Sequence, residues 1–487
     1  MANAEHAHEA PPRSSGTLGV ETRSIDWIPY TERHGRVRHQ VLLWFLGNFQ
    51  YFTVAVGFVG PSLGLPLGPT ILAGVLGIAV GTLFMAFHAS QGPVLGLPQM
   101  IQSRAQFGYR GVTAALAATL FTYVGFNVAD QVLLADGLHG VFGWNRTAIA
   151  VGASLIAVVL AVYGHDWLHR VFRWLLYLSL PLVLLLTIGV LTGHAGGHAS
   201  SQHFAFTWPA FAAQFSAAAA YNITYAPYVS DYSRYLPRTT SPRALIAAVF
   251  FGASGSAIWL IALGAWLAIR LGANDGLVGL RQAGDHFVPG LGAAAAALSA
   301  LSLVATMGMN AYGGSLTVLT GIDSFRSFNP GRRARTVTIC ALAGIWYVTA
   351  ASLSTGAVAT VFTALTVMLY LLVPWTATNL VDFFFVRRGH YAITDLFTPT
   401  GIYGAWSWRG LTAYGAGFAA QIPFMVLPNL GGWSYTGAAA RHLGGTDIAW
   451  LVGLAVTAVV YLALSRSFDR AAEQQAVLLC EGKLAAA

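Results

Sequence analysis

Three polar side chains recur on one face of a single apolar stretch: Tyr123, Asn127 four residues on, and Asp130 three beyond that. Helical spacing brings them together, so two turns carry an aromatic ring, an amide and a carboxyl group. Ser302, Thr306 and Asn310 follow one another at four-residue intervals in a second apolar stretch. Two more runs are interrupted by polar groups, GNFQ at 47–50 and YNITYAPY at 221–228. The chemistry open to such groups is binding. Amides donate and accept, hydroxyls and main-chain carbonyls ligate hard cations, and a carboxylate at membrane depth holds a proton or a cation. For Asp130 two readings stand: a coupling carboxylate, or a group solvated near the outer interface, where Asp136 belongs.

Covalent catalysis lacks its parts. There is no HExxH, Walker-type loop, GxSxG or clustered CxxC, each of which would supply a metal, a phosphate cradle or a nucleophile. The pairs His165/His169 and His194/His198 have no local Glu or Cys to complete a metal site. Asp130 and Asp136, six apart, fall on different helical faces, which argues against an intramembrane enzyme working through a carboxylate pair.

The elements that must position these residues are membrane helices. Hydrophobic residues make up 56% of the 487 and charged residues 9%, against about 25% charged in a soluble domain, and the mean hydropathy is +0.61. About 20 apolar residues cross a bilayer, and twelve stretches qualify: 41–61, 70–87, 111–137, 148–163, 174–191, 211–228, 244–269, 290–319, 337–353, 358–373, 411–427 and 448–464. Residues 1–40 read as a cytoplasmic arm with no cleavable signal, 41–465 as the transmembrane domain and 466–487 as a cytoplasmic tail. The connection 92–111, rich in Pro, Gly and polar residues, reads as cytoplasmic with a short surface helix over 99–107. With the N-terminus inside, all but four of the 26 basic residues (Arg146, Arg270, Arg281 and Arg441) fall on the cytoplasmic side, the positive-inside signature of a multi-pass plasma or inner-membrane protein. The net charge of +8 therefore reports topology and calls for no nucleic-acid partner. Cys340 and Cys480, in a span and in the tail, form no disulfide framework.

The sixth span breaks where the first one does if residues 41–191 and 208–381 are two halves of an inverted repeat, with 411–465 supplying two extra helices. Paired interruptions of this kind point to a transport site near the bilayer midplane. The motifs SDYSRYLP (230–237), GLPQMIQSRAQFGYRG (96–111) and NAYGGSLTVL (310–319) resemble the nucleobase:cation symporters, the cytosine/purine/uracil/thiamine/allantoin permease group, and the similarity runs over 26–465.

This resemblance implies an all-α, LeuT-like fold of five plus five inverted helices and two more, and secondary active uptake of a nucleobase by alternating access. It places the substrate against Gln50, Tyr123, Asn127, Tyr221 or Asn222, and Asn310. It places a cation against the carbonyls of Leu46 and Phe49 and against Ser302, Ala305 and Thr306. Ala305 stands where sodium-dependent relatives carry a hydroxyl, so the coupling ion is left as H+ or Na+. No other cofactor and no obligate protein partner is implied. The side chains fit a planar heterocycle independently, since its two faces want rings and its edge wants groups able to donate or accept. No expected helix core holds Arg or Lys, so the ligand is expected to be neutral or nearly so. Allantoin, hydantoin or thiamine-type ligands are alternatives within the same fold.

Overall fold

The computed structural model describes residues 25–197, 203–326, 330–353, 356–430 and 433–486. Most of the expected N-terminal arm, with Arg13 and Arg23, and also His198 lie outside the described residues. The chain is a polytopic membrane protein built almost wholly of helices. The first span consists of α1 (Val37–Asn48) and α2 (Tyr51–Val56), followed by α3 (Leu67–Ala89), α4 (Thr113–Phe142), α5 (Arg146–Tyr163) and α6 (His165–Leu191). The second set comprises α7 (Trp208–Ile223), α8 (Ala226–Ser233), α9 (Pro242–Arg270), the short α10 (Gly276–Phe287), α11 (Leu291–Asp323), α12 (Arg332–Ser352) and α13 (Ala357–Val381). Last come α14 (Trp408–Gln421), α15 (Ala449–Leu464) and α16 (Arg470–Ala486).

Among the described residues eight helices are long and apolar enough to cross a membrane, nine if the bent first span counts as one. The other three expected spans are α4, diluted by Asn127, Asp130 and Gln131, the interrupted α7–α8 pair, and α14. Helix α14 corrects an expectation. It stops at Gln421 instead of continuing to 427, because Pro423 has no N–H to donate. The chain then forms a hairpin, β1 (Val426–Leu430) against β2 (Trp433–Thr436), antiparallel with Val426 opposite Thr436. The 99–107 segment corrects another. It forms two short helices, Gln99–Gln102 and Arg104–Phe107, that are buried rather than superficial. Arg104 is fully covered and pairs with Asp323 at 2.9 Å, and the Trp375 indole donates to Ser103 Oγ at 3.0 Å.

The helix packing is reciprocal. Helix α7 packs on α3 as α1 packs on α9, and α4 crosses α11 at the centre. Helix α11 meets α5 and α6, as α4 meets α12 and α13. Each contact maps onto its counterpart when the first five spans are exchanged for the next five, as two related halves require.

Close approach of α3 to α7 depends on glycine. A Cβ at Gly77 would lie 2.3 Å from the Phe215 carbonyl oxygen, and one at Gly81 would lie 2.2 Å from that of Ala219. Small residues at such crossings let backbones touch. Gly81→Val is expected to destabilise by roughly 1–3 kcal/mol through overpacking, read as a lower midpoint of thermal unfolding in detergent. An unchanged midpoint would show that the crossing yields.

One end of the helix bundle carries a cap made from the N-terminal arm and the C-terminal segment. Ile28 N–H donates to the Gly96 carbonyl at 3.0 Å, and Arg33 donates to the carbonyls of Ile28 and Pro93 at 2.9 and 2.7 Å. Burial pulls the Arg33 guanidinium down to about 10. Helix α16, expected only as a tail, docks beside this arm, with Val477 and Cys480 in one apolar cluster with Ile25, Leu97 and Tyr391. Above it Arg387 binds both Asp382 and Glu473, and Tyr461 donates to Asp382 at 2.8 Å. Arg33 of the arm, Arg238 and Arg387 of the connections and Arg470 of α16 thus tie these segments to one another. At the other end Arg146 pairs with Asp136 in the open, 2.9 Å apart.

Candidate functional site

The first span bends by 60° at its interruption. Phe49 and Gln50 leave the helical region, Gln50 being fully extended, and the orphaned backbone groups are taken up by side chains, as lipid-embedded backbone demands. Gln50 Oε1 accepts from Phe52 N–H at 2.5 Å and so caps α2, while Thr53 Oγ1 donates to the Asn48 carbonyl at 2.5 Å. The second interruption is gentler. Thr224 and Tyr225 keep right-handed dihedrals, and the helix is broken chiefly because Pro227 supplies no N–H.

Side chains tie the two interruptions together. The Asn48 amide donates to Asn222 Oδ1 at 2.8 Å and to the Ala253 carbonyl at 2.9 Å, and Asn222 donates to Thr82 Oγ1 at 2.6 Å. Gln50 Nε2 donates to the Tyr221 hydroxyl at 2.7 Å. The Thr53 proton is already given to Asn48, so the contact at 2.7 Å between Tyr221 and Thr53 has Tyr221 as donor. Of the two sixth-span candidates, Tyr221 presents a ring to its neighbours, whereas Asn222 spends its amide on Asn48 and Thr82.

A second polar group joins α4, α8 and α11. Asn127 Nδ2 donates to the Met307 carbonyl at 3.2 Å, and a carbonyl can only accept, so this bond fixes which way the Asn127 amide faces. Its Oδ1 then accepts from Asn310 Nδ2 at 2.9 Å, and Asn310 Oδ1 accepts from the Tyr228 hydroxyl at 2.9 Å. Asp130 adjoins this hub, with Oδ2 3.4 Å from Asn310 Nδ2 and Oδ1 buried without a partner. All four side chains are at most 1% exposed.

Rings fill the space between the two groups. Phe52 stacks on Tyr221 (centroids 5.3 Å, 11°) and Phe126 on Tyr225 (5.9 Å, 17°), and Tyr123 meets Tyr228 edge-on at 4.5 Å. Gly313 makes room for Tyr123, whose ring would lie 2.6 Å from a Cβ placed there. Phe52, Phe126, Tyr225 and Tyr228 were not singled out from the sequence. Tyr225 and Tyr228 follow Tyr221 by four and seven residues, a helical face that could have been read; Phe52 and Phe126 carry no such signal.

The residues proposed for a cation are placed less completely. The Leu46 carbonyl accepts from Phe49 N–H at 3.0 Å. The hydroxyls of Ser302 and Thr306 donate to carbonyls one turn back, at 3.0 and 3.1 Å, and keep lone pairs free. Buried Ala305 offers only its backbone.

Residues 27–453 match the family model described as a permease for cytosine/purines, uracil, thiamine and allantoin. A Bacillus subtilis protein, YxlA, provisionally named a purine-cytosine permease, is 32% identical over 454 residues, covering 92% of this chain and 96% of that one. The purine-cytosine permease fcyB of Emericella nidulans is 23% identical, covering 94% and 90%. Among solved structures, Mhp1, a nucleobase-cation-symport-1 family transporter closed around bromovinylhydantoin, superposes with a TM-score of 0.68 at 17% identity, covering 92% of this chain and 96% of its own.

Proposed function

The chain belongs to the family of permeases for cytosine/purines, uracil, thiamine and allantoin, a transporter family and not an enzyme family, and from that membership we propose that it imports a neutral nucleobase by cation-coupled alternating access. The observation that carries the substrate class is the amide and hydroxyl hub of Asn127, Asn310 and Tyr228 beside the ring of Tyr123, with the Tyr221 ring joined to it through Tyr225. A flat heterocycle needs ring faces to lie against and edge groups that both donate and accept.

Gln50 reaches the same cluster through Tyr221. Asn222 acts in this reading as the joint between the interrupted spans. Leu46, Phe49, Ser302, Ala305 and Thr306 remain the oxygen donors for Na+ if sodium drives uptake. Among the described residues no Arg or Lys lies where the ligand would lie, since the fully covered Arg104 and Arg234 belong to the connections between spans. Both termini face the cytoplasm in this reading, supported by the bias of Arg and Lys in the sequence and by the docking of α16 beside the N-terminal arm.

Radiolabelled cytosine, uracil, adenine, hypoxanthine and allantoin, offered to proteoliposomes under imposed H+ or Na+ gradients, test the assignment. At least one base is expected to accumulate above its external concentration and to be displaced by related bases. No accumulation of, and no competition by, any of them would remove it.

A further inference from the structure

We propose that Asp130 carries the coupling proton: its carboxyl group is protonated when the base binds, and proton and base travel together. This rests on the reading of the Asn127–Asn310 hub as the base site.

Asp130 is 1% exposed, and among the described residues it has no basic partner. Its Oδ2 faces one long amide contact and its Oδ1 none. The titratable side chains within its electrostatic reach are the neutral phenols of Tyr221, Tyr225 and Tyr228. Charged groups on the elements packed against α4 are engaged elsewhere or exposed: Arg146 pairs with Asp136, Asp323 with Arg104, Arg335 with the Val162 carbonyl and Arg281 with Asp285, while Arg332 and Arg333 are exposed at the start of α12. On α10 there is also His286, exposed beside Gly196. A lone carboxylate in such a place is costly and demands a positive charge.

The local hydrogen bonds favour a proton over a metal ion as that charge. A hard cation wants several oxygen ligands, yet the bond from Asn127 to a carbonyl forces Asn310 to turn its N–H, not its oxygen, toward Asn127 and Asp130. The oxygens of Asn127 and Asn310 already accept bonds from Asn310 and Tyr228. What Asp130 can add is a single O–H on Oδ1, a donor for a carbonyl or ring nitrogen of the base. One proton is taken from outside with each base and released inside with it, with no covalent step. Each ligand then raises the other's affinity by the same factor.

The test uses the full-length protein with a base that it accumulates. The affinity of wild type is expected to fall about tenfold per pH unit as pH rises through the range where free Asp130 loses its proton, and base binding in weakly buffered detergent should take up one proton. Asp130→Asn is expected to bind more weakly, with an affinity flat in pH, and to lose accumulation driven by an acid exterior while still exchanging base at a reduced rate.

Accumulation by Asp130→Asn under a pH gradient would overturn the proposal, as would wild-type accumulation driven by Na+ alone. If the variant does not fold, proton uptake by wild type decides: none per base bound overturns the proposal, and one supports it. Failure of wild type to bind any base is a different result; it removes the base site itself, and this proposal with it.

Discussion

Asn310→Ala is expected to abolish saturable base uptake, with kcat/KM falling on the order of 100-fold or more. Asn310 meets Tyr228, Asn127 and Asp130 at once. Truncation leaves a hydroxyl, an amide oxygen and a carboxyl oxygen without partners in a dry helix core. Sites built on buried polar pairs lose roughly 3 kcal/mol or more when one member is missing. The measurement is initial uptake of labelled base by proteoliposomes reconstituted with monodisperse variant. Wild-type affinity and rate in that variant would take α11 out of the site. Asn127→Ala should behave similarly but leave the Tyr228–Asn310 bond intact, and the two losses should not add.

Arg387→Ala is the second large effect, and it falls on stability. Arg387 is 7% exposed and bridges Asp382, at 0%, to Glu473 of α16. Removing one partner of a buried ion pair costs about 3–5 kcal/mol because the other charge is left behind. Donors from Gln106, Tyr391 and Tyr461 to Asp382 soften part of that loss. Unfolding in detergent should begin at a clearly lower temperature, and limited proteolysis should release the α16 segment first. Glu473→Ala should free α16 with a smaller loss, because Asp382 keeps its arginine. If Arg387→Ala melts with wild type and its C-terminal segment stays resistant, the cap does not anchor the fold.

The positions that were legible in the sequence are those where a polar group violates an apolar run. Gly47, Asn48 and Gln50 announced the first interruption, and Asn127, Asp130 and Asn310 announced the central helices, because amides and acids are expensive in lipid. What such a side chain bonds to was not legible. Asn222 and Asn310 are the same residue type in similar surroundings, yet one ties Asn48 to Thr82 and the other organises the hub; partners 82 or 174 positions away leave no mark in one sequence. The end of α14 was misplaced because hydrophobic Ile422 to Leu427 satisfies a helix and a strand alike, and Pro423 decides between them. Helix α16 was passed over as a tail, although Glu473, Val477 and Cys480 recur at four and three residues and face inward together.

The Asn48–Asn222 bond, with its extensions to Thr82 and Ala253, fastens four spans into one block. The opposing wall, α4 and α11, is held by Asn127 and Asn310. Gln50 and Tyr221 ride on the block, and in the proposed function a base gripped by both sides would sit astride the seam. The Tyr228 hydroxyl, carried by the block, already reaches across to the wall at this hub. If uptake proceeds by tilting of this block, as the proposed alternating access requires, that phenol has to let go or swing, and it would work as a detent: the cargo would replace a contact the empty carrier has to break.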